Sequence, residues 1–137
     1  MVDDLASSPS YVNITSSGNA APYAWQWSSS DPRALQKPSS AGDRVAASWL
    51  SFDSFSLSFN FTDQQAHQVA LYFMDWDSLG RVQRVDILDA YNNVVDSRTV
   101  SNFGGGQYWV WNLSGHVTVR ITNASPYNAV LSGIFFR

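Results

Sequence analysis

The chain contains no cysteine, which excludes a disulfide framework, a thiol nucleophile and thiolate metal sites. Charged residues make up only 14% of its 137 residues. The basic ones are scattered, and the net charge is -3 with a pI near 5.0. There is thus no electrostatic footprint for nucleic acid or an anionic membrane. No apolar run reaches the ~20 residues of a transmembrane helix. The opening MVDDLASS is acidic and lacks the basic and apolar regions of a signal peptide. No stretch sustains a helical period, so almost no helix is expected. The motifs GxSxG and HExxH are missing, as is a Gly-rich phosphate loop opening a helix. His67 and His116 sit at turn-to-strand junctions without a serine or carboxylate at a motif spacing. No catalytic residue is assigned, and the chain is read as non-enzymatic.

What the chain has in quantity is aromatic surface: 15% of residues, with 6 Trp. A domain of this size holds one core, which six indoles would overfill. Some should sit at its margin or face a ligand, because a large ring with one polar N–H suits a half-wet site. Residues 1–10 are polar and read as a linker or frayed end; residues 11–137 read as one domain.

The organising stretch is Gln68 to Asp89. Val69 to Met74 is apolar at nearly every position, as in a strand buried on both faces. Asp75-Trp76-Asp77 and the turn Ser78-Leu79-Gly80 follow, and then a strand, Val82 to Asp89, with Val85 and Ile87 opposing Arg84 and Asp86. Two strands should therefore carry an acidic, aromatic loop to one end of a sheet. Elsewhere, Phe55, Leu57, Phe59 and Phe61 alternate with Ser54, Ser56, Ser58 and Asn60, the period of a half-buried strand. Further strands are expected at 11–15, 23–27, 33–37 (stopped by Pro38), 94–100, 107–113, 117–122 and 129–136. Residues 39–42 should turn, and 44–50 should be extended or irregular. Gly104-Gly105-Gly106 reads as a hairpin loop. Roughly nine short strands with regular turn signals indicate an all-β fold, a single antiparallel β-sandwich.

Asp75 and Asp77 could give two oxygens to Ca2+, but the Gly and distal Glu of an EF-hand loop are missing. The alternative is that either carboxylate caps the turn or pairs with Arg81 or Arg33. A sugar ring offers an apolar C–H face and a rim of hydroxyls, which calls for a flat aromatic beside a few polar groups. Trp25, Trp27, Trp76, Tyr91, Tyr108, Trp109, Trp111 and Tyr127 all lie in or beside polar loops. In Gln107 to Asn112, Trp109 and Trp111 share one face, read as core, and Tyr108 and Val110 the other. Trp76 and Tyr127, inside turns, are the stronger ligand candidates.

Three segments carry a resemblance: Trp25 to Trp27 with Ser30 to Gln36, Val69 to Asp77, and Asn128 to Phe136, ending SGIFF. Together they resemble galactose-binding-like jelly-roll sandwiches, including malectin-like and related carbohydrate-binding modules of large secreted bacterial proteins. The resemblance implies ligands held by loops at one end, a frequent structural Ca2+ with no cofactor required, a secreted or cell-surface setting, and a monomer within a larger multidomain chain. Carried onto this sequence, it points to Asp75, Trp76, Asp77 and Arg81, with Tyr127 and Asn128 as an opposite wall. The expected function is non-catalytic carbohydrate binding that targets an attached enzyme or surface protein to a polysaccharide. Trp76 would stack on the ring. Rival readings are a structural or adhesive spacer domain and a small glycan-active hydrolase or lyase.

Overall fold

The alternation in β5 (Ser54–Phe61) sets the first layer. Its four apolar side chains are buried and its Ser and Asn residues face outward. The computed structural model describes residues 8–37 and 40–137, so the expected linker falls largely outside the described residues, as does Pro38. Around β5 stand β1 (Val12–Gly18) and β10 (His116–Asn123), and β10 goes on to β7 (Gln83–Leu88) and β8 (Val94–Val100). The order is β1-β5-β10-β7-β8, and every pairing is antiparallel.

The second layer is built from β6 (His67–Phe73), β9 (Gln107–Leu113), β4 (Ser40–Ser51), β2 (Ala21–Ser29) and the short β3 (Leu35–Lys37), joined by the C-terminal segment. That segment was expected as one strand over 129–136. It is two, β11 (Ala129–Leu131) and β12 (Gly133–Phe136), separated at Ser132. The break is functional for the sheet: β11 pairs with β4 and β12 with β6. The Ser132 N–H donates to the Tyr72 carbonyl at 2.9 Å, so the two halves of the layer run on into each other. One core lies between the layers, filled by Phe55, Leu57 and Phe59 from one side and Val69, Leu71 and Phe73 from the other. Full burial of each contributes about 1.5–3 kcal/mol of transfer free energy. The described residues contain no helix. The fold is an all-β antiparallel sandwich.

Three local expectations change. Residues 39–42 were read as a turn and 44–50 as extended or irregular; 39 lies outside the described residues, and 40–51 form the longest strand, paired on both sides, so 44–50 are extended and 40–42 are strand rather than turn. A turn signal of Ser and Gly is overridden there by ladder partners on each edge. The strand expected over 23–27 would by alternation put Trp25 and Trp27 on one face. Register shifts after Ala24 and Gln26 bulge the strand, leaving Trp25 half-buried and Trp27 63% exposed. Finally, Val69–Met74 and Val82–Asp89 do not form one sheet end: β6 and β7 belong to opposite layers. The loop between them crosses the mouth of the sandwich.

Candidate functional site

At that mouth, Asp75 follows β6 directly and is drawn inward, its N–H donating to the Phe103 carbonyl at 3.0 Å. The residue is 3% exposed. It accepts from the Gly80 and Arg81 backbone N–H groups at 3.0 and 3.2 Å and from Arg81 Nη1 at 2.6 Å. The turn that presents those amides uses left-handed backbone at Ser78 and Gly80. Burial alone would raise the Asp75 pKa. The Arg81 side-chain bond and the two backbone N–H groups outweigh it and hold the carboxyl below the usual range. Arg81 is itself buried, donates from Nε to Asn128 Oδ1 at 2.7 Å, and also bonds the Asp77 carboxylate. Its guanidinium carbon lies 5.6 Å from the Trp25 ring centroid.

This network corrects part of the site read from sequence. Asp75, Arg81 and Asn128 are brought together, but buried and spent on one another rather than turned toward a ligand's hydroxyls. The carboxylate–guanidinium pairing weighed as the alternative is what the loop contains. The Arg81 cation stands between Asp75 and Asp77, where an ion sharing both would have to lie. Among the described residues no three His, Cys, Asp or Glu converge on a point. Asp77 and Tyr127 remain exposed; Trp76 is half-buried, with the Arg33 guanidinium 4.3 Å over its ring.

Arg33 is the clamp that shapes the neighbouring surface. Its Nε and Nη2 hold Asp31, and Nη1 donates to the carbonyls of Trp76 and Gly104 at 3.2 and 2.9 Å. Its own carbonyl accepts from the Tyr72 hydroxyl at 2.6 Å. The segment Asp31–Leu35 is thereby fastened over the outer face of the second layer. Beside it opens a polar groove of about 840 Å³ lined by Gln26, Ser28–Ser30, Asp31 and Trp76. Across the ridge of Pro32 and Arg33 lies a second groove, of about 490 Å³, which sequence reasoning missed.

Tyr72, Tyr108 and Phe135 form an aromatic wall of that second groove. Tyr72 and Tyr108 have centroids 4.5 Å apart, and Tyr108 and Phe135 5.8 Å. Tyr108 is 59% and Phe135 42% exposed. Pro32–Gln36, Arg44, Gly105 and Gly106 complete its lining. Two glycines make the shape. A Cβ on Gly106, whose φ is +83°, would stand 2.0 Å from the Tyr72 hydroxyl; one on Gly133 would meet Leu35 and Phe135 at under 3.0 Å. The signal that could have pointed here was the alternation of β9: once Trp111 is in the core with Trp109 packed against it, Tyr108 and Val110 must be outside.

His67, the nearer histidine in sequence to Asp75, is at the other end of β6. It stacks on Tyr11 at 3.8 Å and bonds Asp63 at 2.7 Å. It lines neither of the two grooves.

No protein-family model and no curated protein matches the chain. Among solved structures it is similar to TmCBM61, solved in complex with beta-1,4-galactotriose, at 10% identity and a TM-score of 0.46 over 93% of this chain and 88% of that one. It is similar to a family 35 carbohydrate binding module from Clostridium thermocellum at 14% identity and a TM-score of 0.45, over 90% and 95% of the two chains. It also resembles an exo-beta-1,3-galactanase from Phanerochaete chrysosporium, at 21% identity and a TM-score of 0.46, over 95% of this chain but only 30% of the enzyme.

Proposed function

We propose that the chain is a carbohydrate-binding module whose principal site is the groove of Tyr72, Tyr108 and Phe135. The observation that supports this reading is two large aromatic rings left open to water inside a concave groove with polar groups on its far wall. Aromatic surface of that kind is costly to hydrate and suits the C–H face of a pyranose. The Arg44 guanidinium lines the same groove and can meet the ring's polar groups. Trp76, with Asp77 nearby, borders the adjoining polar groove, and a second sugar of the same chain would lie there, over the Arg33 ridge. Affinity is micromolar to millimolar, since one or two stacked rings supply only a few kcal/mol. In a longer, exported chain such a module raises the effective concentration of an attached enzyme at its polymer.

The test is a panel of plant, algal and bacterial polysaccharides in affinity gels, run on wild type, Tyr108→Ala and Trp76→Ala. Retention that disappears in Tyr108→Ala while circular dichroism stays unchanged supports the site. Retention lost only in Trp76→Ala would move the site to the polar groove. Wild type that passes through every gel unretarded would sink the module reading in favour of a spacer domain.

A further inference from the structure

From the charges around the Tyr108 groove we infer that its ligand is an acidic sugar, a uronate whose carboxylate is held by Arg44; this rests on the carbohydrate-binding reading above. The chain is acidic overall, with 11 Asp and Glu against 8 Lys and Arg, and its cations are almost all matched. Arg33, Lys37, Arg81, Arg84, Arg98 and Arg120 each lie within 3.1 Å of an aspartate oxygen. Arg44 does not. Its Nη1 donates to the carbonyls of Ala34, at 2.7 Å, and Pro32, at 3.4 Å. Its Nε and Nη2 bond no other described residue. Its neighbour Asp43 takes the Arg44 backbone N–H, but turns its side chain to Lys37 and Ser28. Asp31, which feels the Arg44 charge, is held by Arg33 and lines the other groove.

Two consequences follow for a ligand. First, among the described residues the groove is lined by Arg33 and Arg44 and by no Asp or Glu; Asp31 answers the charge of Arg33, so the charge of Arg44 gives the groove a local field that opposes that of the protein as a whole and attracts an anion. Second, the bonds from Nη1 fix the guanidinium plane and leave Nε and Nη2, the pair of parallel donors that meets a carboxylate in bidentate fashion. Arg33 cannot compete for this task, because all three of its nitrogens are spent on Asp31, Trp76 and Gly104. A pyranose lying on Tyr108 and Phe135 with its C6 carboxylate toward Arg44 uses both walls at once. A neutral sugar leaves the cation unmatched, and the planar fork favours a carboxylate over a sulfate ester.

The experiment is calorimetry of the full chain against polygalacturonate, alginate and glucuronoxylan. The controls are carboxyl-reduced polygalacturonate, neutral galactan and dextran sulfate, and each is repeated with Arg44→Gln, Arg44→Lys and Tyr108→Ala. The inference expects at least one uronate polymer to bind about tenfold or more tighter than every neutral polymer. Arg44→Gln should bring acidic and neutral polymers level, Arg44→Lys should keep part of the preference, and Tyr108→Ala should weaken all of them. Because Arg44 also ties down the Pro32–Ala34 segment, the wild-type comparison stands independently of whether Arg44→Gln folds. Equal or better binding of neutral polymers overturns the uronate assignment and leaves the carbohydrate module intact. Dextran sulfate bound as tightly as the best uronate, and unaffected by Tyr108→Ala, reduces the effect to ion exchange and overturns it too. Failure of every polymer removes the module reading, and the uronate with it.

Discussion

The β6–β7 loop and the groove on the outer face of the second layer contain the same ingredients, an arginine among aromatic rings, arranged to opposite ends. In the loop, Arg81 lies buried between Asp75 and Asp77, bonds Asn128 and stands near the Trp25 ring, so its charge is answered within the protein. In the groove, the Arg44 guanidinium meets, among the described residues, carbonyls alone, and Tyr108 and Phe135 face water. The first arrangement holds two layers of the sandwich to the chain that crosses between them. The second leaves an aromatic surface and a cation unmatched, which is the condition for binding something else. Polar richness alone therefore does not mark a site; what marks it is polar and aromatic capacity that the fold leaves unused.

The largest expected effect breaks the loop side of this contrast. Arg81→Ala leaves the Asp75 carboxylate buried without its charge partner and should cost about 3–5 kcal/mol in urea unfolding. A loss under about 1 kcal/mol would mean that the loop is far more open than described. The same network sets the acid limit. Asp75 and Asp86 are both held below the usual carboxylate range, although burial opposes it. Arg81 and backbone N–H groups outweigh burial at Asp75, as Ser97, Arg84 and Arg120 do at Asp86. Because their folded values are lowered, their stabilisation is complete above the unfolded value near 4 and is lost as the pH falls through the folded values. Thermal melts from pH 6 down to 2 should show a decline concentrated below pH 4, and Asp86→Asn should flatten it.

Next in size is Gly106→Ala, which tests the shape of the groove. The left-handed backbone costs a side chain about 1–2 kcal/mol, and the new methyl must displace the Tyr72 hydroxyl from the Arg33 carbonyl. Lower stability together with weaker glycan binding is expected; binding at wild-type strength would separate Tyr72 from the site. Tyr108→Ala should do the reverse, leaving the unfolding free energy within about 1 kcal/mol of wild type while weakening glycan binding roughly 3- to 10-fold. Asp77→Asn should do least. Its carboxylate is partly exposed, so stability should change by less than about 1 kcal/mol, and glycan retention, with or without EDTA, should match wild type.

Much of this architecture was legible in the residues themselves. The period of two in 54–61 located β5 and its buried face, and the unbroken apolar run at 69–74 located the inner strand of the second layer. That Asp75 or Asp77 caps the turn or pairs with Arg81 or Arg33 was visible as an alternative, because a carboxylate and a guanidinium a few residues apart across a tight turn can meet. The groove was not visible. Tyr108, Phe135, Leu35 and Arg44 come from four segments, and nothing local ties one to another. Trp27 and Trp25 part company only because β2 bulges against β4.

What the sequence by itself determined is where strands run and which residues alternate, since the pleat imposes a period of two on any extended segment whatever its neighbours. It also determined an acidic chain without thiols and with more aromatic surface than one core can take. Tertiary structure alone decided that β6 and β7 belong to opposite layers, that Asp75 and Arg81 are enclosed, and that Tyr108 and Phe135 are not. The reason is physical: alternation names two faces, but which of them is buried depends on what packs against it. In this sandwich those partners come from distant parts of the chain.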